Sequence, residues 1–265
     1  LFLHNGSTAG IQAMLMLYAH PGDTVLLPRN AHLSAVNGCI LGDLRPVFMP
    51  LTFAGDGYGY LREETVLDAL AAHPEARCLL VTRPDYYGGC LPLGRIAAAA
   101  RKQGCRLVVD EAHGAHYLPF AARYGWQGGA VAAGADLVVQ SAHKTLPSLT
   151  QTAFLQLNGD LADPDEVERQ LDVFETSSPS YPLLVSLDGC TDWLAADGPA
   201  AFARWRDRLE RFSAAVADLH NIKVMCFGQD ALADHPDFFA HDSGKILLQI
   251  GAEGAAFLRA SGFEP

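Results

Sequence analysis

Lysine is the scarce residue of this sequence. Of 19 basic residues in the 265-residue chain, only Lys102, Lys144, Lys223 and Lys245 are lysines; arginine supplies the rest. Basic charge as a whole is short: the formal net charge is −11, which disfavours a phosphate-backbone partner, because nucleic-acid binding needs a basic face. No apolar run reaches about 18 residues, so no membrane-spanning helix is expected. No secretory signal pattern opens the chain. The six cysteines (Cys39, Cys78, Cys90, Cys105, Cys190 and Cys226) form no C-x-x-C pair. They read as reduced thiols, most of them core fillers, in a cytoplasmic protein. A Walker A loop, internal repeats and low-complexity linkers are also missing. There is no initiating Met before "LFLHNG", and the sequence stops at "SGFEP" just after a helix-like stretch; a chain cut short at both ends is the expectation.

What is present is a regular alternation. Apolar β-rich runs cover Leu1–His4, Thr24–Leu27, Arg45–Met49, Cys78–Thr82, Arg106–Asp110, Asp136–Gln140 and Thr152–Leu157. Helical patterns fill the gaps at Thr8–Ala19, Leu33–Leu41, Arg62–Ala72, Leu93–Gln103 and Phe120–Tyr124. Runs such as "RCLLVT" and "RLVVDE" are apolar at nearly every position, as strands covered on both faces must be. The pattern predicts an α/β fold, a mostly parallel seven-stranded sheet with helices on both faces. At 265 residues the core is that of one large domain, or one and a fraction. After Ala195 the texture changes to a long amphipathic helix carrying Phe202, Trp205, Leu209 and Phe212, then "NIKVM", "KILLQI" and a helix from Glu253 to Ser261. The expected division is a large domain over 1–197, followed by an interdomain helix and the start of a smaller α+β domain over 198–265.

Ligands of such sheets lie beyond the carboxyl ends of the strands, so the residues just after each run carry the chemistry. Three sets stand out. In "HNGSTAG", Gly6-Ser7-Thr8 opens a helix, where free N–H groups, hydroxyls and the helix dipole suit a phosphate; an ordinary Ser or Thr N-cap is the plainer alternative. In "LVVDEAHGAHY", Asp110 ends a central strand and needs a cationic partner there, such as a protonated ring nitrogen, because an unpaired buried carboxylate is costly. An Asp capping the loop, or the "DEAH" box of a helicase, are the rivals; the helicase needs the missing Walker A lysine. His113 and His116 have the spacing of a metal pair without a third ligand in pattern. In "QSAHKTL", Lys144 follows a strand beside Ser141 and His143. A desolvated lysine becomes nucleophilic toward an aldehyde and can form a Schiff base; a surface lysine in a loop is the bland reading, and scarcity argues against it. Phosphate, aldehyde and basic ring nitrogen together describe pyridoxal 5'-phosphate, with Asp110 keeping the pyridine protonated so that the ring acts as an electron sink.

The sequence also resembles the Orn/Lys/Arg decarboxylase family, whose members have the aspartate-aminotransferase fold of pyridoxal-phosphate enzymes. "NGST" (5–8), "PRNAHLS" (28–34), "VVDEAHGAH" (108–116), "SAHKTL" (141–146) and "TSSPSYPLLVSLD" (176–188) carry the resemblance, which extends over nearly the whole chain. It implies decarboxylation of arginine, lysine or ornithine to the amine and CO2, in a homodimer or a higher oligomer of dimers. It implies Lys144 as the lysine that carries the cofactor and Asp110 as partner of the pyridine nitrogen. Gly6, Ser7, Thr8, Ser141 and His143 would surround the phosphate. His32 would stack on the ring, with Ala112 on the opposite face and His113 near the substrate carboxylate or cofactor. "TSSPSY" would lie at the subunit boundary.

Two positions depart from the family's pattern. Leu33 stands where many members have Lys, outside the ring contact. Asp85 stands where Thr is frequent, which bears on the substrate mouth. Plainer readings stand beside the implied ones: a helix-capping His32, a strand-end polar His143, an ordinary N-cap loop at "TSSPSYP". The distal cation of any of the three substrates calls for an acidic residue, and the sequence offers many. Another activity of the same fold, an aminotransferase or amino-acid lyase, or a non-catalytic paralogue, shares every cofactor feature.

Overall fold

The computed structural model describes residues 1–53, 58–219, 223–225 and 239–263. The main sheet contains β1 (Phe2–Leu3), β2 (Thr24–Pro28), β3 (Arg45–Met49), β6 (Cys78–Thr82), β8 (Arg106–Asp110), β9 (Leu137–Gln140) and β10 (Ala153–Leu157). Three short pairs supply the other strand labels: β4 (Thr52–Phe53) with β5 (Gly59–Tyr60), β7 (Gly89–Cys90) with β12 (Ala240–His241), and β11 (Lys223–Met225) with β13 (Leu247–Gln249). The main order is β1-β10-β9-β8-β6-β2-β3. Strands from β9 to β3 run parallel, whereas β10 and β1 are antiparallel additions at one edge. All seven apolar runs seen in the sequence are strands of this mostly parallel sheet.

Period-two alternation divides each central strand between two cores. Val25, Leu27, Leu80, Val108 and Val139 face α1 (Gly6–Tyr18), α2 (Leu33–Leu41) and α6 (Pro164–Leu171). Leu26, Leu79, Val81, Val109 and Val138 face α3 (Glu63–Ala72) and α4 (Gly94–Lys102). Leu26, Leu27, Leu79 and Leu80 have no exposed surface, and burial of each such side chain contributes about 1.5–3 kcal/mol. Helix α6 has no counterpart in the sequence reading, although its start is written there. Asp163 caps it by accepting from the Asp165 N–H at 3.0 Å, and Pro164 opens the first turn. The segment expected as a helix at Phe120–Tyr124 is a 3-10 turn over Ala121–Tyr124.

A third core packs α7 (Tyr181–Ala196) and α8 (Gly198–Val216) against the loop after β8. Trp126 lies between Phe202 and Trp205, with ring centroids 5.4 and 4.4 Å away. The aromatic stripe of the long helix is thus a packing stripe. A last helix spans Ala252–Ala260. Cys39, Cys78, Cys90, Cys105 and Cys190 are buried free thiols; Cys226 lies outside the described residues.

Helix α1 approaches the sheet at Gly10. A Cβ there would lie 2.8 Å from Val139 Cγ2 and 2.9 Å from Leu3 Cδ1. The contact brings the helix N-terminus down onto the ends of β8 and β9. Gly10→Val is expected to lower unfolding stability by about 1–3 kcal/mol through overpacking, read as a lower denaturant midpoint at unchanged m-value.

Candidate active site

A cavity of about 550 Å³ opens at the carboxyl ends of β2, β6, β8 and β9. Gly6, Ser7, Thr8, His32, Asp110, Ala112, His113, Ser141, His143 and Lys144 all line it. Residues from both ends of a 139-position span meet here because parallel strands deliver their C-terminal loops to one edge.

One end of the cavity is the N-terminus of α1. Its N-cap is Asn5, whose side chain donates to the Phe174 carbonyl at 2.9 Å and gives the helix no side-chain cap. Ser7 and Thr8 lie inside the first turn, so neither is the capping residue that the plainer sequence reading allowed. Gly6 has φ +79°, a left-handed backbone that favours glycine. Ser141 Oγ donates to Ser7 Oγ at 2.9 Å, joining this turn to the loop after β9. His143 Nδ1–H donates to the Thr152 carbonyl at 3.0 Å. Uncapped N–H groups, the positive helix end and adjacent hydroxyls form a site for an anion.

Asp110 closes β8 on the cavity floor at 3% exposure. Its Oδ1 accepts from the Ala112 N–H at 3.0 Å, and among the described residues Oδ2 has no hydrogen-bond partner. Burial pushes this carboxyl above its ordinary range; the Ala112 bond, Lys144 and His32 pull it back only in part. Thr82, at the end of β6, also leaves a buried Oγ1 without a partner on the same wall.

Lys144 lies in the short helix α5 (Ala142–Thr145), open to the cavity. Partial desolvation lowers its amine below the ordinary lysine value; Asp110 opposes the shift and Lys245 adds to it. Its Nζ is 3.2 Å from His113 Nε2. Burial first, and then the two lysines, push the His113 imidazole down to about 4. His32 is the N-cap of α2: Nδ1 accepts from the Ser34 N–H at 3.2 Å while Ser34 Oγ lies at 2.8 Å. His32 is thus the helix cap that the plainer sequence reading allowed, and it also lines the cavity.

Glu111 turns away from the cavity. Wholly buried, it accepts from Arg83 Nη1 at 3.2 Å, the Ala130 N–H at 3.0 Å and Gln140 Nε2 at 2.6 Å. Burial holds its carboxyl up at about 8 despite Arg83. His116 forms no metal pair with His113; its Nε2 meets Asp242 Oδ1 at 3.1 Å, both nearly inaccessible. No cluster of three or more metal-ligating side chains occurs among the described residues. Asp85 lines a smaller neighbouring cavity, accepting from Tyr58 O–H and from the Tyr87 and Gly89 N–H groups at 3.0 and 2.9 Å. Leu33 is 64% exposed, off the cavity wall.

Asn5, Ile11, Asn30, Thr82, Tyr86, Thr150 and Gln151 complete the lining without having been singled out as site residues in the sequence. Reading the end of β6 as the other strand ends were read would have found Thr82. No sequence signal marks Thr150, Gln151 or the approach of Lys245 to His113.

Residues 1–248 match the family model described as "Orn/Lys/Arg decarboxylase, major domain". An arginine decarboxylase of Bacillus anthracis is 32% identical over 94% of this chain and 50% of its own length. The chain thus spans half the length of that relative. Among solved structures, the constitutive lysine decarboxylase of E. coli superposes with TM-score 0.70 at 21% identity, over 94% of this chain and 38% of its own. The ureidoglycine-glyoxylate aminotransferase of Bacillus subtilis gives the same TM-score, 0.70, at 14% identity, over 99% of this chain and 68% of its own. These two likenesses show the fold.

Asp110→Asn removes the buried charge while Oδ1 still accepts from Ala112. A carboxyl raised by folding stabilises below the unfolded value and loses that contribution as pH rises through the folded value. The cofactor-free Asp110→Asn protein is therefore expected to melt at a higher temperature than the parent at pH 7, with the gap closing in acid; thermal melts at both pH values check it.

Proposed function

The chain belongs to the Orn/Lys/Arg decarboxylase family, and on that premise we propose that it forms the cofactor-binding part of a pyridoxal-phosphate-dependent decarboxylase of arginine, lysine or ornithine. The observation that carries the reading is the convergence of an uncapped helix N-terminus, a buried carboxylate with a free oxygen and a lysine of lowered basicity on one cavity. Its volume, about 550 Å³, lies within the range of about 300–1,000 Å³ usual for cofactor sites. The unpartnered oxygens of Asp110 and Thr82 leave polar groups for a ligand to satisfy, so the residues present fit the cofactor.

In this reading the N–H groups at Gly6, Ser7 and Thr8, with Ser141 and His143, hold the phosphate. Asp110 would keep a proton on the pyridine nitrogen. His32 and Ala112 would hold the cofactor ring between them. Lys144 would tether the cofactor through its amine. Bound there, pyridoxal phosphate supplies an electron sink for the pair left when CO2 departs from the substrate Cα. Lys144 or a neighbouring histidine would hold the proton that Cα takes up. His113 is neutral at ordinary pH, so it leaves no fixed imidazolium beside the departing carboxylate.

We take residues 1–197 as the cofactor domain and 198–265 as the interdomain helix with part of a smaller domain. The open side of the site carries His32, Tyr86 and Lys144, and a second copy of the chain covering it, with "TSSPSY" at the boundary, belongs to the same proposal. An aminotransferase is the second reading, because an enzyme of that class shares this fold. Product analysis separates the two. With arginine, lysine or ornithine, the full-length protein is expected to release CO2 and the corresponding amine; 2-oxo acid formation without CO2 would replace this reading by the second. Lys144→Ala is expected to lose the visible absorbance of the lysine-bound cofactor and to lower turnover at least about 100-fold.

A further inference from the structure

His113 stands between two amines. Lys144 Nζ lies 3.2 Å from its Nε2, and Lys245 Nζ lies 3.1 Å from its Nδ1. A neutral imidazole has one N–H and one lone pair, whereas an ammonium has donors only. Both hydrogen bonds therefore form together only if the lysine facing the N–H is a free amine that accepts, while the other lysine donates to the ring lone pair. Two features decide which is which. Lys245 lies over the Tyr86 ring, 5.5 Å from its centroid, where a cation is favoured. Lys144 lies in the cavity with its basicity lowered by desolvation.

We propose that Lys245 is a positioning residue of the site, whose ammonium donates to Nδ1 of His113 and so holds the imidazole with its proton on Nε2, facing Lys144 as a free amine. A lysine 101 positions further along the chain thus selects the nucleophilic form of the lysine that carries the chemistry.

The segment bearing Lys245 is fixed to receive this role. β12 pairs with β7, and the Asp242 N–H donates to the Gly88 carbonyl at 2.7 Å. Asp242 then caps its own turn, accepting from the Gly244 N–H at 2.9 Å, while the Lys245 N–H donates to the Asp242 carbonyl at 3.0 Å. Its carboxylate also meets His116, three residues beyond His113. Little freedom is left for the Lys245 backbone, so its amine is delivered to His113 at reduced entropic cost. The charged and titratable groups acting on this pair from neighbouring elements are Asp110 at the end of β8, His32 at the cap of α2, and Asp242. Asp110 favours a charged Lys144, and Lys245 counters it.

The role of Lys144 in the proposed reaction gives the arrangement its purpose, but the amine itself can be read without any cofactor. In full-length protein stripped of cofactor, Lys144 is reductively methylated with formaldehyde and a mild hydride across a pH series, and its modification is followed by peptide mass spectrometry. The His113 tautomer is read from nitrogen NMR shifts of histidine-labelled protein. In the parent, His113 is expected as the Nε2–H tautomer. In Lys245→Met the preference for that tautomer is lost and the Lys144 midpoint moves up. A rise of about half a pKa unit cuts the free-amine fraction, and with it the labelling rate below the midpoint, about threefold. Lys245→Arg keeps the charge and is expected to restore both readouts. Unchanged tautomer and labelling in Lys245→Met overturn the proposal, as does failure of the Arg variant to restore them in a chain whose circular dichroism matches the parent. Absence of decarboxylation with both readouts as expected would instead count against the reaction assigned above and leave this inference standing.

Discussion

Asp110 is nearly removed from water at the end of a central strand, with one backbone N–H to satisfy it. An ionised carboxylate so placed is costly unless a cation meets it, and the surrounding structure is organised around that demand. The strand is central because β6 and β9 pair with it on either side. Pairing in register sets Asp110 opposite Thr82 and Val139, so that β6 and β9 end at the same level. The loop after β9 then delivers Ser141 and Lys144, and the close approach of α1 at Gly10 delivers Ser7. A shift of one residue in β8 would turn Asp110 toward the other face and exchange it with Glu111.

That exchange shows how adjacent acids acquire opposite tasks. Glu111 is as deeply buried as Asp110 but is satisfied from within, by Arg83, Gln140 and a backbone N–H. It closes the protein's own network. Asp110 keeps one oxygen for something else. The two histidines of the following loop differ in their partners: His116 Nε2 meets the Asp242 carboxylate, whereas His113 faces the cavity between two amines. For the two acids, a free oxygen rather than residue type separates the one that lines the cavity from the one that closes an internal network.

Much of the site was legible because parallel α/β sheets collect strand-end residues at one edge. "GST", "DEAH" and "SAHK" each follow an apolar run, and that rule alone assembles Gly6, Asp110 and Lys144. Their partners were less legible. His32 serves as helix cap and cavity wall at once, which a sequence presents as a choice. Asp85 reads as part of the substrate mouth but is tied up by Tyr58 and two backbone donors. Helix α6 is less legible although the Asp163-Pro164 start marks it, because it is short and only Val167 and Leu171, one turn apart, form its buried face.

The sequence by itself determined the strands and the end of the sheet at which the candidate site gathers. Runs apolar at every position have to be covered on both faces, and parallel connections put their loops on one side. Tertiary structure alone decided the antiparallel placement of β10 and β1 at the edge, the inward turn of Glu111, and the contact of Lys245 with His113 across 132 positions. Local periodicity encodes which side chains leave water, because each residue's burial follows from its own strand or helix. Which distant groups then meet depends on how the layers pack, and that is a property of the whole chain.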